Sequence, residues 1–150
     1  HTNDAVSTIT RLMNMGVASY LITASLTLVV AQRLARKNCN DCIQEDESVN
    51  ESQLMAIGFS AEESSRLRLY HGKGCSNCNG TGYKGRKGIY EVLRITDNLI
   101  EGILKESTTP ELKKIAKEKD NFSTMQEIGR VFLQQGDISL EEYKRVLILE

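Results

Sequence analysis

The residues best placed by type and spacing to do chemistry are four cysteines, in two C-x-x-C pairs. Cys39-Asn-Asp-Cys42 and Cys75-Ser-Asn-Cys78 are separated by 32 residues and hold every cysteine of the chain. Each C-x-x-C turn presents two thiolates to one ion, and two turns complete a tetrahedral shell of four sulfurs, the pattern of a zinc site. A closed shell leaves no position for water, so such a metal is structural rather than catalytic. The separation exceeds that of a compact zinc ribbon, so a small subdomain must fold between the pairs. His71 lies four residues before Cys75. Four cysteines already fill the shell, so a surface histidine is expected there.

The second chemical feature is the run Gly80-Thr-Gly-Tyr-Lys-Gly-Arg-Lys-Gly88. Its glycines read as a tight turn, and Arg86 and Lys87 are cations on a backbone that can approach an anion closely. The plain alternative is a solvated hairpin tip, and composition favours it. No P-loop, dinucleotide fingerprint or Ser/His/Asp order is present, and two histidines without clustered acids leave little for acid–base catalysis.

Composition excludes several classes. The net charge of −1 sets up no general field for nucleic acid. Trp is absent and aromatics make up 5%, which removes most stacking platforms for single strands. No apolar run reaches bilayer length. The chain opens on His1-Thr-Asn-Asp with neither an initiator Met nor a signal-peptide pattern. The expectation is therefore a fragment of a longer protein, in a reducing compartment where paired cysteines hold metal rather than form disulfides.

The elements that must position these groups follow from periodicity. Ala5, Ile9, Leu12 and Met13 predict a helix over 4–15, closed by Gly16, and a second short helix covers about 17–25. Residues 26–34 read as a strand apolar enough to be buried on both sides, with Arg33 at its solvated end. A polar loop over 44–52 follows, then a short helix over 51–57. Ser60-Ala-Glu-Glu63 is a capping box that opens another helix. Residues 66–70 alternate as a strand leading to the second cysteine pair, and 89–95 form a strand after the glycine-rich run. Capped helices at 97–105, from Thr109-Pro110 to about 119, at 124–135 and at 140–149 complete the chain as a small bundle. The lysines at 113, 114, 117 and 119 alternate with acids and read as a solvated face.

Taken in order, His1-Thr-Asn-Asp4, Thr10-Arg-Leu12, Met15-Gly16, Ala31-Gln-Arg-Leu34, the two C-x-x-C pairs and Gly82-Tyr-Lys-Gly-Arg-Lys-Gly-Ile-Tyr-Glu91 resemble the assembly ATPases of type IV pili and type II secretion. The resemblance runs the length of the chain and implies an α/β fragment from the C-terminal end of such an ATPase. Residues 1–38 would be the end of a RecA-like ATPase core, 39–88 a tetracysteine zinc subdomain, and 89–150 a C-terminal helical subdomain. It implies that His1 is a histidine-box residue near the γ-phosphate, with Thr2 and Asn3 in the same box. Arg86 would pack near the adenine, and Arg33 would lie on the nucleotide-binding core strand. Cys39, Cys42, Cys75 and Cys78 would hold zinc, with ATP and Mg bound by the full-length parent. Similar proteins are cytoplasmic homo-hexamers, peripheral to the inner membrane, that drive a platform protein to assemble pilin subunits. The cysteines favour an extension or secretion motor over a retraction motor. The P-loop and acidic metal-binding motifs of the family are missing, so these residues alone are expected to be inactive.

Two other readings remain. Cys75-Ser-Asn-Cys-Asn-Gly-Thr-Gly82 resembles one repeat of DnaJ-type co-chaperones, but Cys39-Asn-Asp-Cys42 lacks the matching glycines. A zinc-ribbon nucleic-acid binder fits poorly with the charge balance.

Overall fold

The fold is described from a computed structural model, for residues 3–148. His1, with its expected histidine-box role, and Thr2 lie outside the described residues. Contacts divide the chain into two compact units that interleave along the sequence: His1–Gln32 with Tyr90–Ile128, and Arg33–Ile89 with Gly129–Glu150. Two strands, β1 (Leu28–Asn38) and β4 (Tyr83–Arg94), pair in a two-stranded sheet.

The first unit is built on α1 (Ala5–Asn14), α2 (Ser19–Ser25), α5 (Asp97–Leu104) and α6 (Thr109–Lys119). Asp4 caps α1 by accepting from Ser7 N at 2.7 Å, and Gly16 follows the helix at φ +89. The apolar stripe of α1 buries Ala5, Val6 and Ile9 against Ile22, Leu93, Leu99, Ile103, Leu112 and Phe122. Thr96 caps α5. The cap of α6 is Thr108, one residue earlier than the Thr109-Pro110 pattern predicts. Thr108 forms a capping box with Glu111, and Pro110 takes the second helical position. Proline is tolerated there because that amide has no partner within the helix.

The apolar segment after α2 departs from expectation. It is not buried on both faces: Leu28 and Val30 of β1 are about half exposed, as are Tyr90 and Val92 of β4. Val29, Ala31 and Leu93 pack on the helices of the unit. Continuous apolar sequence made the strand recognisable, but no described element covers its outer face.

The second unit holds the cysteines. It contains β2 (Ile43–Glu45), α3 (Glu51–Ala56), α4 (Ala61–Arg66) and β3 (Tyr70–Gly72), with α8 (Leu140–Leu147) and most of α7 (Met125–Gln134). Both α3 and α4 begin in complete capping boxes, Asn50 with Gln53 and Ser60 with Glu63. The alternating segment over 66–70 is not a strand. Helix α4 continues to Arg66, and the strand is confined to Tyr70–Gly72, where β2 offers an edge. The glycine-rich run is not a turn after Gly82 either, because β4 already begins at Tyr83 and Gly85 is accommodated within it at φ +81. Five alternating residues and four glycines say nothing about which distant edge is available to pair.

A buried carboxylate organises this unit. Glu142, at the start of α8, is fully buried. It accepts from Arg36 N at 2.8 Å, from the Arg36 guanidinium at 2.9 and 3.1 Å, and from Arg145 Nε at 2.8 Å. Burial pushes its pKa up, but the hydrogen bonds from Arg145 and Arg36 win and hold it at about 2, below the ordinary 4.5. The folded value is depressed, so this stabilisation is present above pH 4.5 and is lost as pH falls toward 2. We expect the melting temperature of the wild type to drop more steeply across that window than that of Glu142→Gln. At neutral pH the variant is expected to be less stable by about 2 kcal/mol. Parallel melting curves against pH for the two proteins would contradict the assignment.

Candidate metal centre

The two cysteine pairs are joined by the β2–β3 ladder. These strands pair antiparallel, with Ile43 opposite Gly72, Gln44 opposite His71 and Glu45 opposite Tyr70. Cys42 immediately precedes β2, and Cys75 follows β3 by three residues, so the ladder brings both turns to one end. Lys73 N donating to Cys42 O at 2.9 Å extends that register. The second pair is shaped by a single 3-10 turn, Ser76–Cys78, which ends at Asn79 in the left-handed region with φ 53. Behind the sulfurs, Cys39 N donates to Gly82 O at 2.9 Å. The backbones of Gly72 and Gly82 approach so closely that a Cβ on Gly82 would lie 2.3 Å from the Gly72 carbonyl oxygen. Only two glycines permit that crossing.

The result is a compact cluster. The four sulfurs of Cys39, Cys42, Cys75 and Cys78 lie within 4.8 Å of one another. Three separations are 3.9 Å (Cys39 to Cys75), 3.9 Å (Cys42 to Cys78) and 3.7 Å (Cys75 to Cys78). Zn–S bonds of about 2.3 Å in a tetrahedron imply sulfur–sulfur edges of about 3.8 Å. A disulfide requires about 2.05 Å, and all four cysteines are free. Backbone amides point at the sulfurs: Gly74 N at Cys42, and Cys75 N and Gly82 N at Cys78, each at 3.2 Å. Such donors favour thiolates. The amide of Cys75, helped by that of Gly82, lowers the Cys78 pKa to about 6, while burial pushes Cys42 up to about 12. Four thiolates this close repel strongly, and a divalent cation removes the conflict. The cysteines are thus positioned to bind a metal ion, and an all-sulfur set suggests zinc.

Neighbouring side chains support the cluster without joining it. His71 faces Asp46, with Nδ1 3.6 Å from the carboxylate, and Gln44, at 3.2 Å through Nε2. It is not part of the sulfur cluster. Asp41 accepts from Asn77, which accepts from Lys84 at 2.8 Å. Asn38, just before Cys39, is buried, and its side-chain amide donates to Tyr70 O and Gly136 O at 3.0 Å each.

The strand leaving the cluster is held at two points. Tyr83 Oη shares a hydrogen bond of 2.9 Å with Ser139 Oγ, and the Arg36 guanidinium lies 4.1 Å from the centre of its ring. Lys87 pairs with Asp137 and sits 4.1 Å over the Phe132 ring. Sequence grouped Lys87 with Arg86 as a free cation, and its partners, about 50 residues away, gave no signal. Arg86 itself is exposed, and its side chain makes no hydrogen bond or ion pair among the described residues. Arg33 lies half-buried on β1.

The family model described as "Type II/IV secretion system protein" matches residues 1–145. The chain belongs to this family. It is 42% identical over 146 residues to the type IV pilus assembly ATPase PilB of Pseudomonas aeruginosa, a match that covers 97% of this chain and 25% of that protein. It is also 42% identical to PilB of Thermus thermophilus, over 95% of this chain and 16% of that one. The type II secretion system ATPase E of Vibrio cholerae is 38% identical, over 97% of this chain and 28% of its own length. The chain therefore spans between 16% and 28% of the length of these relatives. The family membership leaves the co-chaperone and nucleic-acid readings without support. No helix among the described residues is long and apolar enough to cross a membrane.

Metal removal tests the site. One zinc per chain is expected by elemental analysis of protein purified without added metal. A strong chelator should then abolish amide-exchange protection across 39–82 before that of Ile9, Leu99 and Ile103. The loss in stability should be on the order of several kcal/mol. A melting curve unchanged by chelator would count against a structural metal.

Proposed function

We propose that this chain supplies part of a motor ATPase that couples ATP hydrolysis to assembly of pilin or pseudopilin subunits at the inner membrane. The parent acts as a cytoplasmic homo-hexamer, bound peripherally to the membrane through a platform protein, with ATP and Mg held mainly by parts of the protein beyond these residues. Residues 1–38 contribute to a RecA-like core, 39–88 form the zinc-held subdomain, and 89–150 form a C-terminal helical region. The half-exposed apolar face of β1 and β4 supports the core assignment, since a two-stranded sheet is marginal alone and such a face suits burial in a larger sheet.

The observation that carries the reading is Arg86. Tyr83 and Lys87 on either side are tied to Ser139 and Asp137, yet Arg86 is left exposed and without a polar partner among the described residues. A solvated hairpin tip needs no such anchoring, whereas a guanidinium presented to a nucleotide base or phosphate does. The metal holds the start of this strand and takes no part in the chemistry of hydrolysis, because a closed sulfur shell has no open position. Arg33 contributes from the core strand, and His1 orients hydrolysis at the γ-phosphate.

ATP hydrolysis is mostly positioning and electrostatics supplied by a P-loop and Mg²⁺. The 150-residue chain alone is therefore expected to show no ATP turnover above buffer. In the full-length motor, Arg86→Ala should raise the KM for ATP about tenfold, the cost of one charge-assisted contact, with zinc content unchanged. Turnover by the isolated chain, or wild-type ATP affinity in Arg86→Ala, would overturn the corresponding part of this reading.

A further inference from the structure

Two helices of the first unit begin at the same carboxylate. Glu91 lies on β4 and is 1% exposed. Its Oε1 accepts from Ala5 N at 2.8 Å, and its Oε2 accepts from Met125 N at 2.9 Å. Each donor is the first amide of its helix, α1 or α7. The third amide of each helix is already taken by its own cap. Ser7 N donates to Asp4 Oδ1 at 2.7 Å, and Glu127 N donates to Thr124 Oγ1 at 3.3 Å. A cap side chain reaches the second or third amide and leaves the first without a partner, so Glu91 supplies what both caps omit.

The chemistry demands a carboxylate. Both partners are donors, so each oxygen must accept. A glutamine would place an N–H against one of the two amides. Burial pushes the Glu91 pKa up, and the two amides act against it. Both helices have ten residues, and the positive ends of their dipoles converge on this group. An apolar side chain would avoid burying a charge but would leave both first amides without an acceptor, so the carboxylate ties the starts of the two helices to one point.

We propose that Glu91 is a positioning residue of the motor. It fixes the first amide of α1, the helix that follows His1 by four residues in sequence. This rests on the reading above, in which His1 orients hydrolysis at the γ-phosphate. Glu91 touches no substrate. It acts by clamping the start of α1 to the start of α7.

The test compares the full-length wild type, Glu91→Gln and Thr124→Ala in steady-state ATP hydrolysis, with amide exchange measured on the 150-residue chain. Glu91→Gln is expected to lower kcat about tenfold or more, with the KM for ATP within about twofold, as for a misplaced catalytic group. Exchange at Ala5 and Met125 should accelerate together. Thr124→Ala removes a cap of α7 alone, so it should speed exchange at Glu127 and leave kcat within about twofold of wild type. If Glu91→Gln does not fold, Glu91→Asp keeps the charge with a shorter reach and must show the same loss of kcat at constant KM. Wild-type kcat in the folded Glu91 variant overturns the proposal. So does an equal kcat loss in Thr124→Ala at a matched fall in melting temperature, which would mark the role as structural only. A wild-type motor without ATP turnover overturns the underlying reading and the role of Glu91 with it.

Discussion

Four sulfurs gathered within 4.8 Å form an arrangement that the chain alone cannot favour. Thiols pack there only at the cost of close polar contacts, and thiolates repel. Backbone amides aimed at Cys42 and Cys78 draw charge onto the cluster, while burial of Cys42 resists it. A single divalent cation would resolve the opposition, and the four cysteines are positioned to bind one. The β2–β3 ladder is only three residues long, too short to hold the two turns together unaided.

From the cluster the constraint passes to the strand that follows it. Cys39 N is bonded to Gly82 O, and Gly82 passes against Gly72 with no room for a side chain. Tyr83 is then fixed by Ser139 and Arg36, and Lys87 by Asp137 and Phe132. The cysteine cluster and the first turn of α8 therefore define the segment from two directions. Arg36 connects them, because the same side chain covers the Tyr83 ring and binds Glu142. Arg86, exposed on the same segment, makes no side-chain hydrogen bond or ion pair among the described residues.

Local signals were legible in the amino-acid sequence, and distant pairings were not. The capping box at Ser60 with Glu63 and the cap at Ser139 are exchanges over three residues, and both are present as read. The cysteine spacing identified the sulfur cluster, because few other arrangements use two C-x-x-C turns. The glycine-rich run reads as a turn through Gly88 but is strand from Tyr83 onward, since whether Gly85 bends or extends depends on the strand beside it. The cap of α6 moved from Thr109 to Thr108 because either threonine suits the role, and Glu111 decides between them by completing a box with the earlier one. Glu91 showed no sign of its role, as its partners are 86 and 34 residues away.

Each unit contains a buried glutamate at the start of helices, and their surroundings differ in one respect. Glu142 is met by two guanidiniums, and its carboxylate is held ionised down to about pH 2. Glu91 is met by neutral amides alone, so burial outweighs them and its pKa rises. Glu142 accepts more hydrogen bonds than Glu91, and all but one of them come from charged guanidiniums. A full positive charge repays the desolvation of a carboxylate, while helix amides and their dipoles offset only part of it. Glu142 therefore serves as a tie that stabilises its unit across ordinary pH. Glu91 carries a desolvation cost that its two amides offset only in part, and in return it ties both helix starts to one point by accepting from the first amides of α1 and α7.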